Sequence, residues 1–249
     1  MTASLFYTSE LTGATVQQLV SLDTATSGHA VRSQRLGAGD KVLISDGLGT
    51  LAQGVMEDAN PLHATIRIQA VAVAPRHEKQ VNLVQALAKG ERDLLAAEMA
   101  TEVGIDSVTP WQARRSIVRL RPERAQKTLA KWEAKLKASA QQARRAFIPT
   151  LAEPIIAEEI ATLHSPQNGN YVIVLHEDGE ANLGDVVDSL PGVKTLHLVV
   201  GPEGGVSPEE LNAVLAAGGS AVKIGSHVMR ASTAGPVAVA LVNQLCNRW

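Results

Sequence analysis

The chain has 249 residues, enough for one large domain or two smaller ones and for a buried core without covalent staples. Its formal net charge of −2 gives no overall bias toward a polyanion, and its one cysteine, Cys246, excludes an internal disulfide framework and fits a reducing cytoplasm. Clustered thiolates for a metal are absent, no apolar run approaches the roughly 20 residues that span a bilayer, and the first ten residues lack the order of a secretion signal. The expectation is a soluble cytoplasmic protein with no metal and no membrane partner.

Residues 1 to about 75 read as mostly β. Lys41 to Ile44 is a short apolar run, followed by a turn through Gly47 and Gly49, and Leu51 to Met56 returns as its hairpin partner. Ala64 to Val73 alternates through its first half as a half-buried strand does. Pro75, with the polar Arg76-His77-Glu78-Lys79-Gln80 after it, is the natural linker, so the expected division is 1–75 and 76–249. A small β-barrel fits the first part.

From position 80 the pattern becomes strands alternating with helices, which argues for an α/β fold whose parallel sheet is flanked by helices. Val81 to Leu87 is a candidate strand, and Glu91 to Val103 a helix stopped at Gly104, a residue suited to a left-handed cap. Tyr171 to Leu175, Leu196 to Val200 and Ala221 to Ile224 are further buried-strand candidates, each followed by a glycine-containing loop. The clearest helix start is Ser207-Pro208-Glu209-Glu210: Ser207 as N-cap, Pro208 at the first helical position and Glu210 completing a capping box, with Gly218-Gly219 ending the helix. The last helical stretch, Thr233 to Cys246, is apolar on most sides.

Two features carry chemistry. The first is the set of junctions after the three late strands, Leu175-His176-Glu177, Val200-Gly201-Pro202-Glu203-Gly204-Gly205 and Ile224-Gly225-Ser226-His227-Val228-Met229-Arg230-Ala231-Ser232-Thr233-Ala234, because open α/β sheets bind ligands at that edge. From spacing alone the second junction is either a tight turn or the wall of a ligand site. It matches neither the dinucleotide fingerprint nor a phosphate-binding P-loop. The second feature is charge. Between Trp111 and Pro149, eleven Lys or Arg residues face only Glu123 and Glu133, and Lys127, Lys131 and Lys135 repeat at i, i+4 with no acidic partner along the row. Such a row is either a solvated face or a surface for a polyanion.

The motifs resemble the SPOUT superfamily of methyltransferases, and within it the family that methylates N3 of a uridine in small-subunit (16S) ribosomal RNA. The matching residues are Gly201-Pro202-Glu203-Gly204-Gly205, Ser207, Glu209-Glu210, Gly225, Met229-Arg230 and Thr233-Ala234. Upstream, Lys89-Gly90-Glu91-Arg92, Ala100 to Gly104, and Gln142 with Arg145 match as well. His29 to Asp40 resembles the family's N-terminal PUA-like RNA-binding barrel. The chain departs from the pattern at Gln141, His227 and Ser232, where Glu, Arg and Glu are common.

The resemblance implies a C-terminal trefoil knot and S-adenosyl-L-methionine as cofactor, held by Leu175, His176, Glu177, Val200, Gly201, Pro202, Glu203, Gly204, Gly205, Ile224, Gly225, Val228, Met229, Arg230, Thr233 and Ala234. It implies 16S rRNA within the small ribosomal subunit as substrate and a homodimer as the working form. Arg230 and Arg145 are the candidate catalytic residues. Arg32, Arg35, Arg114, Arg115, Lys127, Lys131, Arg144 and Arg145 are candidates for RNA binding, and His176, Glu177 and Glu203 for accepting a proton. Two other readings of the same loops are a ribose 2′-O-methyltransferase of tRNA or rRNA and a non-catalytic RNA-binding assembly factor.

Overall fold

The computed structural model describes residues 3–249. The chain forms two compact units: residues up to Arg76 together with Ala140–Ile148, and His77–Ser139 together with Pro149–Trp249.

In the first unit, β1 (Ser4–Tyr7), β2 (Leu19–Ser21), the short helix α1 (Thr24–Gly28), β3 (Lys41–Ser45), β4 (Thr50–Asp58) and β5 (Thr65–Val73) give one five-stranded sheet, ordered β1-β3-β4-β5-β2. The expected hairpin is β3 against β4, with Ile44 opposite Ala52. Its core is aliphatic apart from Phe6, as the low aromatic content requires. Arg32 and Arg35 are exposed, Arg32 on a wide π-type turn, His29–Ser33, and Arg35 just beyond it with a left-handed backbone (φ +57°).

The second unit contains β6 (Gln80–Ala86), α2 (Arg92–Val103), β7 (Ser107–Gln112), α3 (Pro122–Gln142, whose last three residues belong to the first unit), β8 (Thr150–Leu151), β9 (Ile155–Ile156), β10 (Asn170–Leu175), β11 (Ala181–Asn182), α4 (Leu183–Asp188), β12 (Thr195–Val200), α5 (Pro208–Ala216), β13 (Ser220–Lys223) and α6 (Ala231–Leu245). Its sheet runs β11-β13-β10-β12-β6-β7-β8, with β9 also on β7, and every pairing is parallel. The central strands are buried on both faces. One face packs Leu83, Leu196 and Leu198 under α2, α4, α6 and the Trp132–Leu136 side of α3; the other packs Val84, Val172 and Val199 under α5 and a 3-10 stretch, Ala157–Leu163. The last strand, β13, comes in between β10 and β11, two strands formed earlier in the chain.

Helix ends are closed as the local sequence dictates. Ser207 caps α5, and past its last turn Gly219 N–H donates to Val214 O and Gly218 N–H to Leu215 O, with Gly218 at φ +101°. The carbonyls at the end of α2 are taken by groups from the C-terminus: Asn243 and Trp249 donate to Val103 O, and Arg248 donates to Gly104 O and to the Asp106 carboxylate at 2.7 Å. α6 begins at Ala231, earlier than the pattern suggested, because Thr233 and Ala234 N–H both bond Arg230 O and nothing between them breaks the helix.

Across the lower part of the sheet runs a polar ladder. Ser107 and Thr109 hydroxyls bond Asn82, Asn82 meets His197 Nδ1 at 2.8 Å, and His197 Nε2 lies 3.2 Å from Asn170 Oδ1. Burial, with a smaller effect from His164, pulls the His197 pKa down to about 4. The fold therefore holds the neutral ring, whereas the unfolded chain protonates it near an ordinary histidine pKa of about 6.5. This contribution is present above that pH and is lost as pH falls from about 6.5 toward the folded value of about 4, by up to about 3 kcal/mol. Urea unfolding across this window will show a steep acid loss in the wild type and a flatter one in His197→Gln. Parallel curves for the two proteins would remove His197 as the cause.

Candidate functional site

Strands that are apolar on both faces leave polar chemistry to their ends, and the carboxyl ends of β10, β12 and β13 lie side by side in the sheet. The loops that follow enclose a cavity of about 650 Å³, within the range of sites that hold a drug-sized molecule or cofactor. The cavity is lined by Leu175, His176, Glu177, Val200, Gly201, Pro202, Glu203, Gly204, Gly205, Ile224, Gly225, Val228, Met229, Arg230 and Ala234, all expected from the sequence. Thr233 is not among them. It sits in the first turn of α6 and is exposed, while Ala231 and Ala234, three apart on one helical face, line the cavity.

The glycines divide the work. A Cβ on Gly201 would lie 2.9 Å from Val206 Cγ2, and Gly205 holds φ +73° with its N–H on Pro202 O, so these two shape a tight turn. A Cβ on Gly225 would meet only Met229 Cε, at 3.7 Å, leaving open space through which a ligand reaches the main chain. Gly201, Gly204 and Gly205 also line the cavity, so the two readings of the glycine-rich loop coexist.

Polar side chains around the cavity are held by long-range bonds that the sequence does not reveal. Glu203 Oε1 accepts from Lys89 N–H at 3.1 Å and lies 4.0 Å from Arg92 NH1. Arg115 NH1 donates to Gly204 O at 3.0 Å. The capping-box residue Glu210 is 2% exposed and uses both oxygens, one on Ser207 N–H at 2.8 Å and the other on Arg114 N–H at 2.7 Å. His176 Nδ1 accepts from Asp178 N–H at 3.2 Å, which puts the proton of a neutral ring on Nε2 and makes that atom a donor. Glu177 is exposed and, among the described residues, makes no hydrogen bond or ion pair. Arg230 occupies the N-cap position of α6 and is exposed at the cavity wall. Arg92, Lys223, Ser226 and His227 also line the cavity and were not singled out as ligand-binding residues by sequence reasoning. A clue lay in the strand-end position of Lys223, but none marked Arg92 as facing this loop.

The basic stretch is resolved differently from expectation. The lysine row does have acidic partners, outside the row: Lys131 lies 3.9 Å from Glu91, in the turn before α2, and Lys135 bonds Glu98 of α2 at 2.9 Å. Its self-repulsion is therefore relieved in part within the chain. Lys127 is exposed without an ion pair among the described residues, and Arg114 pairs with Glu158 at 3.0 Å. Arg144 and Arg145 belong to the first unit, where Arg144 has φ +55° and Tyr7 donates to Arg145 O.

Residues 75–243 match the family described as RNA methyltransferase domain, and residues 22–69 match the RNA methyltransferase PUA domain. The chain is similar to ribosomal RNA small subunit methyltransferase E of Mycobacterium bovis, at 37% identity over 255 residues, covering 100% of this chain and 94% of that protein. It is similar to the Bacillus subtilis protein of the same name at 24% identity over 216 residues, covering 83% and 82%. Among solved structures, ribosomal RNA small subunit methyltransferase E from Neisseria gonorrhoeae, bound to S-adenosyl methionine, shares the fold, with a TM-score of 0.84 over 98% of both chains at 24% identity.

Glu210→Ala leaves two buried or half-buried N–H groups without acceptors and should destabilise by about 3 kcal/mol, against about 1 kcal/mol for Ser207→Ala, which loses the cap alone. Equal urea midpoints for the two variants would show that the bond to Arg114 adds nothing.

Proposed function

The chain belongs to the RNA methyltransferase family, and on that premise we propose that it transfers the methyl group of S-adenosyl-L-methionine to N3 of a uridine in 16S ribosomal RNA of the small subunit. The observation that carries this reading is the cavity at the sheet edge, built from three loops whose backbone groups and glycines admit a cofactor-sized ligand. The residues fit such a cofactor: Leu175, Ile224 and Met229 offer apolar wall, and the loop main chains offer donors and acceptors for an adenine edge.

When bound, S-adenosylmethionine supplies an electrophilic methyl group on a sulfonium centre. The chain's own residues have the remaining work. Uracil N3 carries a proton at neutral pH, and its lone pair attacks only once that proton leaves. Arg230, exposed at the cavity wall, stabilises charge developing on a uracil carbonyl oxygen. Of the three candidate proton acceptors, His176 presents a donor, and Glu203 is engaged by Lys89 and Arg92. Glu177 is left with both oxygens uncommitted, and we place the proton acceptor there. Arg145, in the first unit, holds the base or its phosphate.

RNA is bound by the PUA-like unit, through Arg32, Arg35, Arg144 and Arg145, and by the exposed cations Arg114, Arg115, Lys127 and Lys131. With this substrate the protein works in the cytoplasm; among the described residues no helix is long and apolar enough to cross a membrane. The working form is a homodimer. Leu241 and Leu245, one turn apart on α6, are 40% and 38% exposed, an apolar surface suited to a second copy.

Arg230→Ala should leave S-adenosylmethionine affinity by calorimetry within about twofold and lower kcat by about 10²-fold; Glu177→Gln should do the same. Unchanged turnover removes the residue concerned from the mechanism, and a wild type that binds no S-adenosylmethionine overturns the proposal. Sedimentation at micromolar protein should give a dimer, with Leu241→Glu and Leu245→Glu together shifting it to monomer; a wild-type monomer contradicts the dimer.

A further inference from the structure

Two arginines from distant parts of the chain converge on adjacent residues of the glycine-rich loop. Arg92 reaches the Glu203 carboxylate and Arg115 the Gly204 carbonyl. Neither placement is left to chance. Arg92 follows a turn in which Gly90 (φ +63°) and Glu91 (φ +57°) are both left-handed, a conformation unfavourable for a non-glycine residue. Two carboxylates hold that turn. Asp93, itself 7% exposed, accepts from Ala88 N–H at 3.3 Å, and Glu203 accepts from Lys89 N–H at 3.1 Å. Arg115 is fixed by the Glu210 bond to Arg114 N–H and by packing on Gly204, where an added Cβ would lie 3.2 Å from Arg115 Cβ.

The geometry points to Arg92 and Arg115 as a phosphate clamp that seats the RNA strand at the mouth of the cavity and so sets the register of the target base. Both guanidiniums have donors to spare: the Arg92 contact is long, at 4.0 Å, and Arg115 makes one side-chain hydrogen bond. Arg92 is 39% exposed, so a ligand arriving from solvent meets it. Arg115 also stands at the head of a run of exposed cations along the chain, Arg119, Arg121 and Arg124, which a polyanion can follow but a single carboxylate would leave unused. Arginine suits the task because its planar fork pairs with phosphate oxygens two at a time. The clamp rests on the rRNA methyltransferase reading, and its test is kept separate from turnover.

The test uses Arg92→Gln, Arg115→Gln, the double variant and Arg115→Lys. Filter binding of 16S rRNA across a salt series is measured beside S-adenosylmethionine affinity by calorimetry. Each Gln variant should weaken RNA binding about tenfold and make the log–log salt slope shallower by about one, with cofactor affinity within about twofold. Arg115→Lys, which keeps the charge, should restore most of the slope. An unchanged RNA slope overturns the clamp, as does a tenfold loss of cofactor affinity, which would assign the pair to the methionine carboxylate. Methyl transfer by the wild type, assayed in parallel, reports on the underlying reading alone: if it fails while the slopes respond, the clamp stands and the reaction does not.

Discussion

The parallel sheet, covered on both faces, constrains everything else in the second unit. A strand such as β12, with Leu196, Leu198, Val199 and Val200 all buried, has no open face on which to carry reactive groups, so polar chemistry is confined to its ends. Parallel pairing then sets the carboxyl ends of β10, β12 and β13 at one edge, and three loops far apart in sequence wall one cavity. The opposite part of the sheet carries the ladder through Asn82 and His197, which satisfies its own polar groups internally.

Carboxylates then act as struts, each tying a loop to a neighbour through a backbone N–H. Glu210 joins the start of α5 to the segment bearing Arg115, and Glu203 and Asp93 fix the left-handed turn before Arg92. Burial raises the Asp93 pKa, while its backbone hydrogen bonds oppose the rise. Around the cavity, position is thus supplied by carboxylates bonded to backbone N–H groups, and the cations at its rim stay available. This division suits a reaction whose rate depends on placing a weak nucleophile in line with a methyl group.

Much of this organisation was legible in the sequence. Ser207, Pro208 and Glu210 announced a capped helix, the glycines fixed its end, and the alternation of apolar runs gave the parallel sheet. The cavity walls followed from the strand ends. Tertiary choices remained hidden. Glu91 and Glu98 pair with Lys131 and Lys135 from α2 and the turn before it, and no i, i+4 pattern encodes a partner some 40 positions away. The capping role of Glu210 was readable because it is local; its second bond, to Arg114, was not, because it joins residues 96 apart. Two-residue strands such as β8, β9 and β11 are too short to leave a periodic mark. The segment Ala140–Ile148 packs with the first unit for a reason equally invisible locally: Ala140 and Ile148 fill a small core with Leu5 and Tyr7.

The central claim, a methyl donor held at the sheet edge and aimed at a base in ribosomal RNA, is tested most directly by where the methyl group goes. Small subunits lacking the modification, incubated with the protein and methyl-labelled S-adenosylmethionine and then digested for mass spectrometry, should carry a single methyl group on N3 of one uracil. A methyl group on a ribose, or none at all from a protein that binds the donor, would contradict the account.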